Sequence, residues 1–147
     1  MDFREIIKAW LPLFLWMALM FFGSTDLMSA EHTSRILTPL LRWWNPDISP
    51  ATIAQVHFLV RKAAHLIEYA ILAVLLCRAW RGWIERFWRR VALTLAPAMI
   101  FAAADEFHQS FVASRTASLG DVLLDCSGAL FGLMICATTW KRNSTWE

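Results

Sequence analysis

The sequence predicts an all-α membrane protein, a bundle of four transmembrane helices with both termini in the cytoplasm. Hydrophobic residues make up 58% of the chain and charged residues only 18%, and the mean hydropathy is +0.45. A soluble domain of 147 residues does not bury that much apolar surface, so the composition indicates a protein that spans a bilayer. The length predicts a single domain, and a net charge of +2 argues against a nucleic-acid partner.

Four apolar segments lie close to the length of about 20 residues that a straight span needs. They predict transmembrane helices at about residues 6–23, 50–80, 91–108 and 121–140. Ser49 favours an N-cap and Pro50 the first position of the second helix, which then runs without Gly or Pro to Trp80. Between the first two spans, residues 36–44 predict a short extracytoplasmic interfacial helix that ends at Asn45-Pro46.

Lys and Arg residues set the predicted orientation. In a four-span topology, the amino end, the loop between the second and third helices and the carboxyl end share one side. The basic residues of these three segments are Arg4, Lys8, Arg78, Arg81, Arg86, Arg89, Arg90, Lys141 and Arg142. Because cytoplasmic segments of membrane proteins are enriched in Lys and Arg, we expect both termini in the cytoplasm.

Ionisable residues inside the apolar segments predict a functional site on the extracytoplasmic side. Charged groups in a bilayer are costly, so they usually face a bundle interior and mark a site. This topology brings one set of polar residues to the outer membrane level: Lys62, His65, Glu68, Asp105, Glu106, Gln109, Asp121 and Asp125, with Arg115 in the adjoining loop. Asp121 and Asp125 share a helix stripe with Gly128 and Gly132. That GxxxG spacing lets another helix approach closely, so the two acids should point into the bundle.

These residue types leave several roles open. Glu68 could form an ion pair with Lys62 or Arg115, and His65 could form a hydrogen bond inside the bundle. Asp121 could simply be an acid at the amino end of a helix, where the helix dipole favours negative charge. A buried carboxyl beside a histidine also suits proton transfer. Nitrogen and oxygen ligands for a metal are present, but the HExxH and ExxH spacings are not. We therefore expect neither a metal nor a cofactor.

Three motifs follow one another in the order of a known family. They are Lys62-x-x-His65-x-x-Glu68-Tyr69, Asp105-Glu106-x-x-Gln109-x-Phe111-x-x-x-Arg115, and Asp121 followed by Gly128-x-x-x-Gly132. This pattern closely resembles the VanZ-like family of small multi-helix bacterial membrane proteins, whose namesake is associated with low-level resistance to teicoplanin. The chain departs from it at Asp125, where the resemblance leads us to expect Asn. A carboxylate lacks the amide's hydrogen-bond donors, so Asp125 either is protonated or pairs with Lys62, Arg115 or a ligand cation.

The resemblance implies a multi-pass protein of the bacterial cytoplasmic membrane but supplies no mechanism. The outer polar cluster leads to the hypothesis of a pocket that binds or modifies a membrane-anchored amphiphile. Such a ligand is a lipid-linked precursor, a phospholipid headgroup or a lipoglycopeptide. The candidates for catalysis are His65, Glu68, Asp105 and Glu106. The candidates for ligand binding are Lys62, Tyr69, Gln109, Arg115, Asp121 and Asp125. Two alternatives are a non-enzymatic accessory protein with an interhelical polar network and, ranked last, a small proton-coupled transporter.

Overall fold

The computed structural model describes residues 2–24, 30–111 and 118–143, which form five α-helices and no β-strand. The helices are α1 (Phe3–Gly23), α2 (Ala30–Trp44), α3 (Pro50–Trp80), α4 (Phe87–Gln109) and α5 (Leu119–Asn143). The predicted all-α class is confirmed. Within these described residues, three segments are long and apolar enough to cross a membrane, namely α1, α4 and Leu119–Thr138 of α5.

Helix α3 occupies the centre of the bundle, because it packs against each of the other four helices. Its predicted start is confirmed: the Ser49 side chain accepts a hydrogen bond from the Thr52 backbone N–H at 3.1 Å, and Pro50 is the first helical residue. The helix has 31 residues, which corresponds to a length of about 46 Å at 1.5 Å per residue. It therefore extends beyond the bundle core, and α2 packs on this extension through a 3.0 Å contact between Thr38 Oγ1 and His57 Nε2.

Helices α3 and α5 run in the same direction with a constant register. The successive contacts along both helices are Leu66 with Gly128, Ala70 with Gly132 and Val74 with Cys136. The two glycines permit this approach, since a Cβ atom on Gly132 would lie 3.0 Å from Ala70 Cα and closer still to the Ala70 carbonyl oxygen. Because of this register, the amino end of α5 lies beside the middle of α3.

Helices α1 and α4 run antiparallel to α3. Two hydrogen bonds to backbone carbonyls fix the direction of α1, since Arg78 donates to Lys8 at 2.5 Å and Trp16 to Glu68 at 3.1 Å. Two contacts fix that of α4, since Trp80 donates to the Leu93 carbonyl at 2.9 Å and the rings of Tyr69 and Phe101 lie 6.3 Å apart. The carboxyl ends of α1 and α4, the amino end of α5 and residues 61–69 of α3 consequently meet at one end of the bundle. We call this the polar end.

Two helix boundaries differ from the prediction by four residues or more. Helix α2 begins at Ala30 rather than near residue 36, although it ends at Trp44 as predicted. Helix α4 begins at Phe87 rather than near residue 91. The earlier start gives α4 a first turn that contains two arginines. One of them, buried Arg90, donates from Nε to the Ile84 carbonyl at 3.0 Å, which stabilises this turn.

Candidate functional site at the polar end

The first acid of α5 lies between two cations of α3. Asp121 is only 2% exposed. Lys62 Nζ donates to Asp121 Oδ1, and Arg61 Nη2 lies 3.7 Å from Oδ2. The side chains of Lys62 and Arg61 remain 25% and 30% exposed, so this ion-pair group lies at the rim of the polar end and is partly accessible.

One helix turn deeper, His65 and Asp125 form a buried pair. His65 Nδ1 lies 3.2 Å from Asp125 Oδ1, and the two residues are 6% and 0% exposed. From the sequence, the candidate partners of an ionised Asp125 are Lys62, Arg115 and a ligand cation. The structure instead pairs Asp125 with His65, because the parallel register places Lys62 beside Asp121. Oxygen Oδ2 of Asp125 has no hydrogen-bond partner among the described residues.

Helix α4 contributes the opposite wall of the site. Gln109 Nε2 donates to Asp105 Oδ2 at 2.9 Å, as residues four apart in a helix can. Glu106 Oε1 accepts from the backbone N–H of Ser118 at 2.5 Å, which ties the end of α4 to the start of α5. Glu106 and Gln109 are buried and Asp105 is half-buried.

Side chains of α3, α4 and α5 meet at one point of the site. One potential ligand atom from each of His65, Asp105 and Asp125 lies within 4.8 Å of the other two. Tyr69, which is fully buried, lies one turn further along α3 and within electrostatic range of both acids. Several buried polar atoms here have no hydrogen-bond partner in the part of the chain that the structure describes: Tyr69 OH, Asp105 Oδ1, Glu106 Oε2, Gln109 Oε1 and Asp125 Oδ2. Buried polar atoms normally have partners, so this group has the capacity to bind something more.

The remaining predicted site residues are less central. Glu68 is half-buried, and its backbone carbonyl accepts the Trp16 indole N–H. The ion pair that the structure gives Lys62 is with Asp121, not with Glu68. Arg115 lies outside the described residues.

Two contributors to the site had been given no role. Arg61 lies near Asp121, and the sequence could have indicated this, because Arg61 shares a face of α3 with His65. The Ser118 backbone N–H that binds Glu106 had no sequence signal, because its position depends on the path of the chain into α5.

Below Tyr69 the interior is mainly apolar. The core cluster continues below the site through buried Leu72, Ala73, Ala79 and Ala98. Thr94 is a buried polar residue of this region. The polar groups of the site are thus concentrated at one end of the bundle.

The sequence model of a protein family described as VanZ/LLP1 matches residues 9–141 of the chain. This match confirms the resemblance that the three motifs indicated, and it includes every residue of the polar end. Neither the search of curated proteins nor that of solved structures gives a match.

Proposed function

This chain belongs to the VanZ/LLP1 family, and we propose that it is a multi-pass protein of the bacterial cytoplasmic membrane that binds the headgroup of a membrane-anchored amphiphile at its polar end. In this proposal α3 is a fourth span beside the three apolar segments, and both termini are cytoplasmic. The antiparallel packing of α3 against α1 and α4 supports the fourth span. The basic residues Arg78, Arg81 and Arg90, at the opposite end, support the orientation.

The observation that carries the proposal is the group of buried, unpartnered polar atoms beside a partly exposed pair of cations. Lys62 and Arg61 suit the anionic part of a headgroup, as does Arg115. The buried oxygens of Asp105, Glu106 and Gln109 suit its hydroxyl or amide donors. The exposed cations and the buried acceptors together match a ligand that has both an anionic group and hydrogen-bond donors.

The lipid-facing surface beside the site suits the apolar part of such a ligand. Ile67, Phe107 and Leu123, each within two residues of a site residue in sequence, are 54%, 68% and 69% exposed. An amphiphile can therefore keep its chains in the bilayer while its headgroup enters between the helices. Helix α2, which exposes Trp43 and Trp44, would lie along the outer interface near this entrance.

If the site catalyses a reaction, His65 and Glu68 with Asp105 or Glu106 are the groups suited to polarise the headgroup or transfer a proton. Tyr69 and Gln109 then orient the neighbouring groups. The family's link with teicoplanin makes a lipid-linked cell-wall precursor, or the lipoglycopeptide itself, the first ligand to test. The proposed physiological role is envelope homeostasis, with glycopeptide resistance as its measurable consequence.

The test compares teicoplanin susceptibility of a glycopeptide-sensitive host that expresses wild type, Glu68→Gln, Asp105→Asn or Asp47→Asn at matched folded levels. Asp47→Asn is the control, because Asp47 is exposed and lies in the α2–α3 loop. We expect protection by wild type and by the control, and loss of protection in both site variants. Unchanged protection in both site variants would contradict the proposal.

A second candidate function is structural: the polar end would fix the arrangement of the helices and support a protein partner. It is favoured by the contacts Lys62–Asp121, His65–Asp125 and Glu106–Ser118, since the first two join α3 to α5 and the third joins α4 to the residue before α5. This role predicts that Asp105→Asn and Glu68→Gln lower the melting temperature in detergent, and an unchanged melting curve would argue against it. The apolar core below Tyr69 argues against a transporter.

A further inference from the structure

We propose that His65, Asp105 and Asp125 bind a divalent transition-metal ion, with Zn²⁺ and Mn²⁺ as the ions that fit. Each ligand comes from a different helix, so local sequence motifs gave no reason to expect the site. The ligand atoms lie within 4.8 Å of one another. Ligands about 2.1 Å from a common ion stand about 3–3.5 Å apart, so side-chain adjustments of roughly 1 Å complete the coordination.

The unpartnered carboxylate oxygens are the second observation that points to an ion. Asp125 is fully buried, yet its Oδ2 has no partner among the described residues, and the same holds for Asp105 Oδ1. The ion pairs of Lys62 and Arg61 are with Asp121. In the described part of the chain, neither Asp105 nor Asp125 forms an ion pair with Lys or Arg. A fully buried carboxylate and a half-buried one beside a single histidine are costly without further positive charge, and a divalent cation supplies it.

Neighbouring groups form a suitable outer shell. Gln109 holds Asp105 Oδ2 at 2.9 Å, which orients the carboxylate and leaves Oδ1 free to coordinate. The unpartnered oxygens of Gln109 and Glu106 can accept hydrogen bonds from water molecules on the ion. The 3.2 Å separation of His65 Nδ1 and Asp125 Oδ1 is also the spacing of two ligands on one ion.

The donor set selects the class of metal. Imidazole nitrogen favours Zn²⁺ and other transition metals, and carboxylate oxygen is also suited to Mn²⁺. Three protein ligands leave coordination positions for water or for a ligand oxygen. An ion here would attract the phosphate of an amphiphile. This role in ligand binding rests on the proposed function, whereas the binding of the metal itself does not.

The experiment uses the full chain, purified in detergent through a tag without histidine and treated with a chelator. Binding of Zn²⁺ and of Mn²⁺ is measured by calorimetry, and retained metal by elemental analysis after gel filtration. We expect one ion per chain in the wild type and at least a tenfold weaker affinity in Asp105→Asn and Asp125→Asn. The control is His57→Gln, because His57 lies on the same helix but contacts α2. It should bind metal as the wild type does.

Absence of binding to wild type at about 100 µM of either ion would overturn the proposal, and so would an unchanged affinity in both aspartate variants. If Asp125→Asn does not fold, half-buried Asp105 still provides the test, because Asn retains an acceptor for Gln109. The two proposals fail separately: teicoplanin protection without metal binding contradicts the metal site alone. Metal binding without protection contradicts the amphiphile proposal alone.

Discussion

Gly132 lies where α5 comes closest to α3, so replacing it with Ala tests how the polar end is assembled. The added Cβ would lie 2.9 Å from the Ala70 carbonyl carbon and 3.0 Å from its Cα. Both atoms belong to helix backbone and cannot rotate away, so the helices must separate by several tenths of an ångström. Overpacking of this kind typically costs about 1–3 kcal/mol, and the better helix propensity of Ala offsets up to about 1 kcal/mol.

We expect Gly132→Ala to lower the free energy of unfolding by about 1–2 kcal/mol, or roughly 2–8 °C in melting temperature for a chain of this size. Thermal melts in detergent, followed by tryptophan fluorescence, provide the measurement. The matched control is Gly23→Ala, since a Cβ on Gly23 meets nothing within 4 Å. A Gly132→Ala variant that melts at or above the wild-type temperature would refute the close α3–α5 packing.

Three further predictions concern the α3 cap, the rim and the topology. Ser49→Ala removes the side-chain acceptor of the α3 N-cap and should cost about 1 kcal/mol, with faster amide exchange in the first turn; unchanged exchange would contradict the cap. Lys62→Gln leaves Asp121, among the described cations, with the 3.7 Å Arg61 contact and should cost about 1 kcal/mol, since Lys62 is partly exposed. Adding Asp121→Asn should restore part of that loss, whereas purely additive losses would mean that the ion pair is not coupled. In a chain without its native cysteines, Asp47→Cys should react with an impermeant thiol reagent in intact cells and Glu85→Cys should not; the reverse pattern would invert the topology.

The sequence predicts those features of the fold that depend on local rules. Ser49 and Pro50 define the start of α3, and Asn45-Pro46 defines the end of α2, because capping and proline geometry act within a few residues. The long apolar runs likewise indicate helices from composition alone. The start of α4 at Phe87 was missed, because it depends on the contact between Arg90 and the Ile84 carbonyl.

The site follows from the sequence only in part. The positions of the polar residues along the predicted helices indicate that they lie at one membrane level. Which of these residues contact each other depends on the direction and register of the helices. The parallel packing of α3 and α5 is what places His65 beside Asp125 and Lys62 beside Asp121. The triad His65, Asp105 and Asp125 is hidden from motif analysis for the same reason, since no two of its members are close in sequence.

The most direct test of the central claim measures protection and stability in the same variant, Asp105→Asn. The Asn side chain has the same shape as Asp and keeps an acceptor for Gln109, so the account predicts that the melting temperature stays within about 2 °C of wild type, which corresponds to at most about 0.5 kcal/mol. It also predicts that teicoplanin protection is lost. Protection that persists at wild-type level, or that falls only in step with the melting temperature, would contradict a ligand site at the polar end.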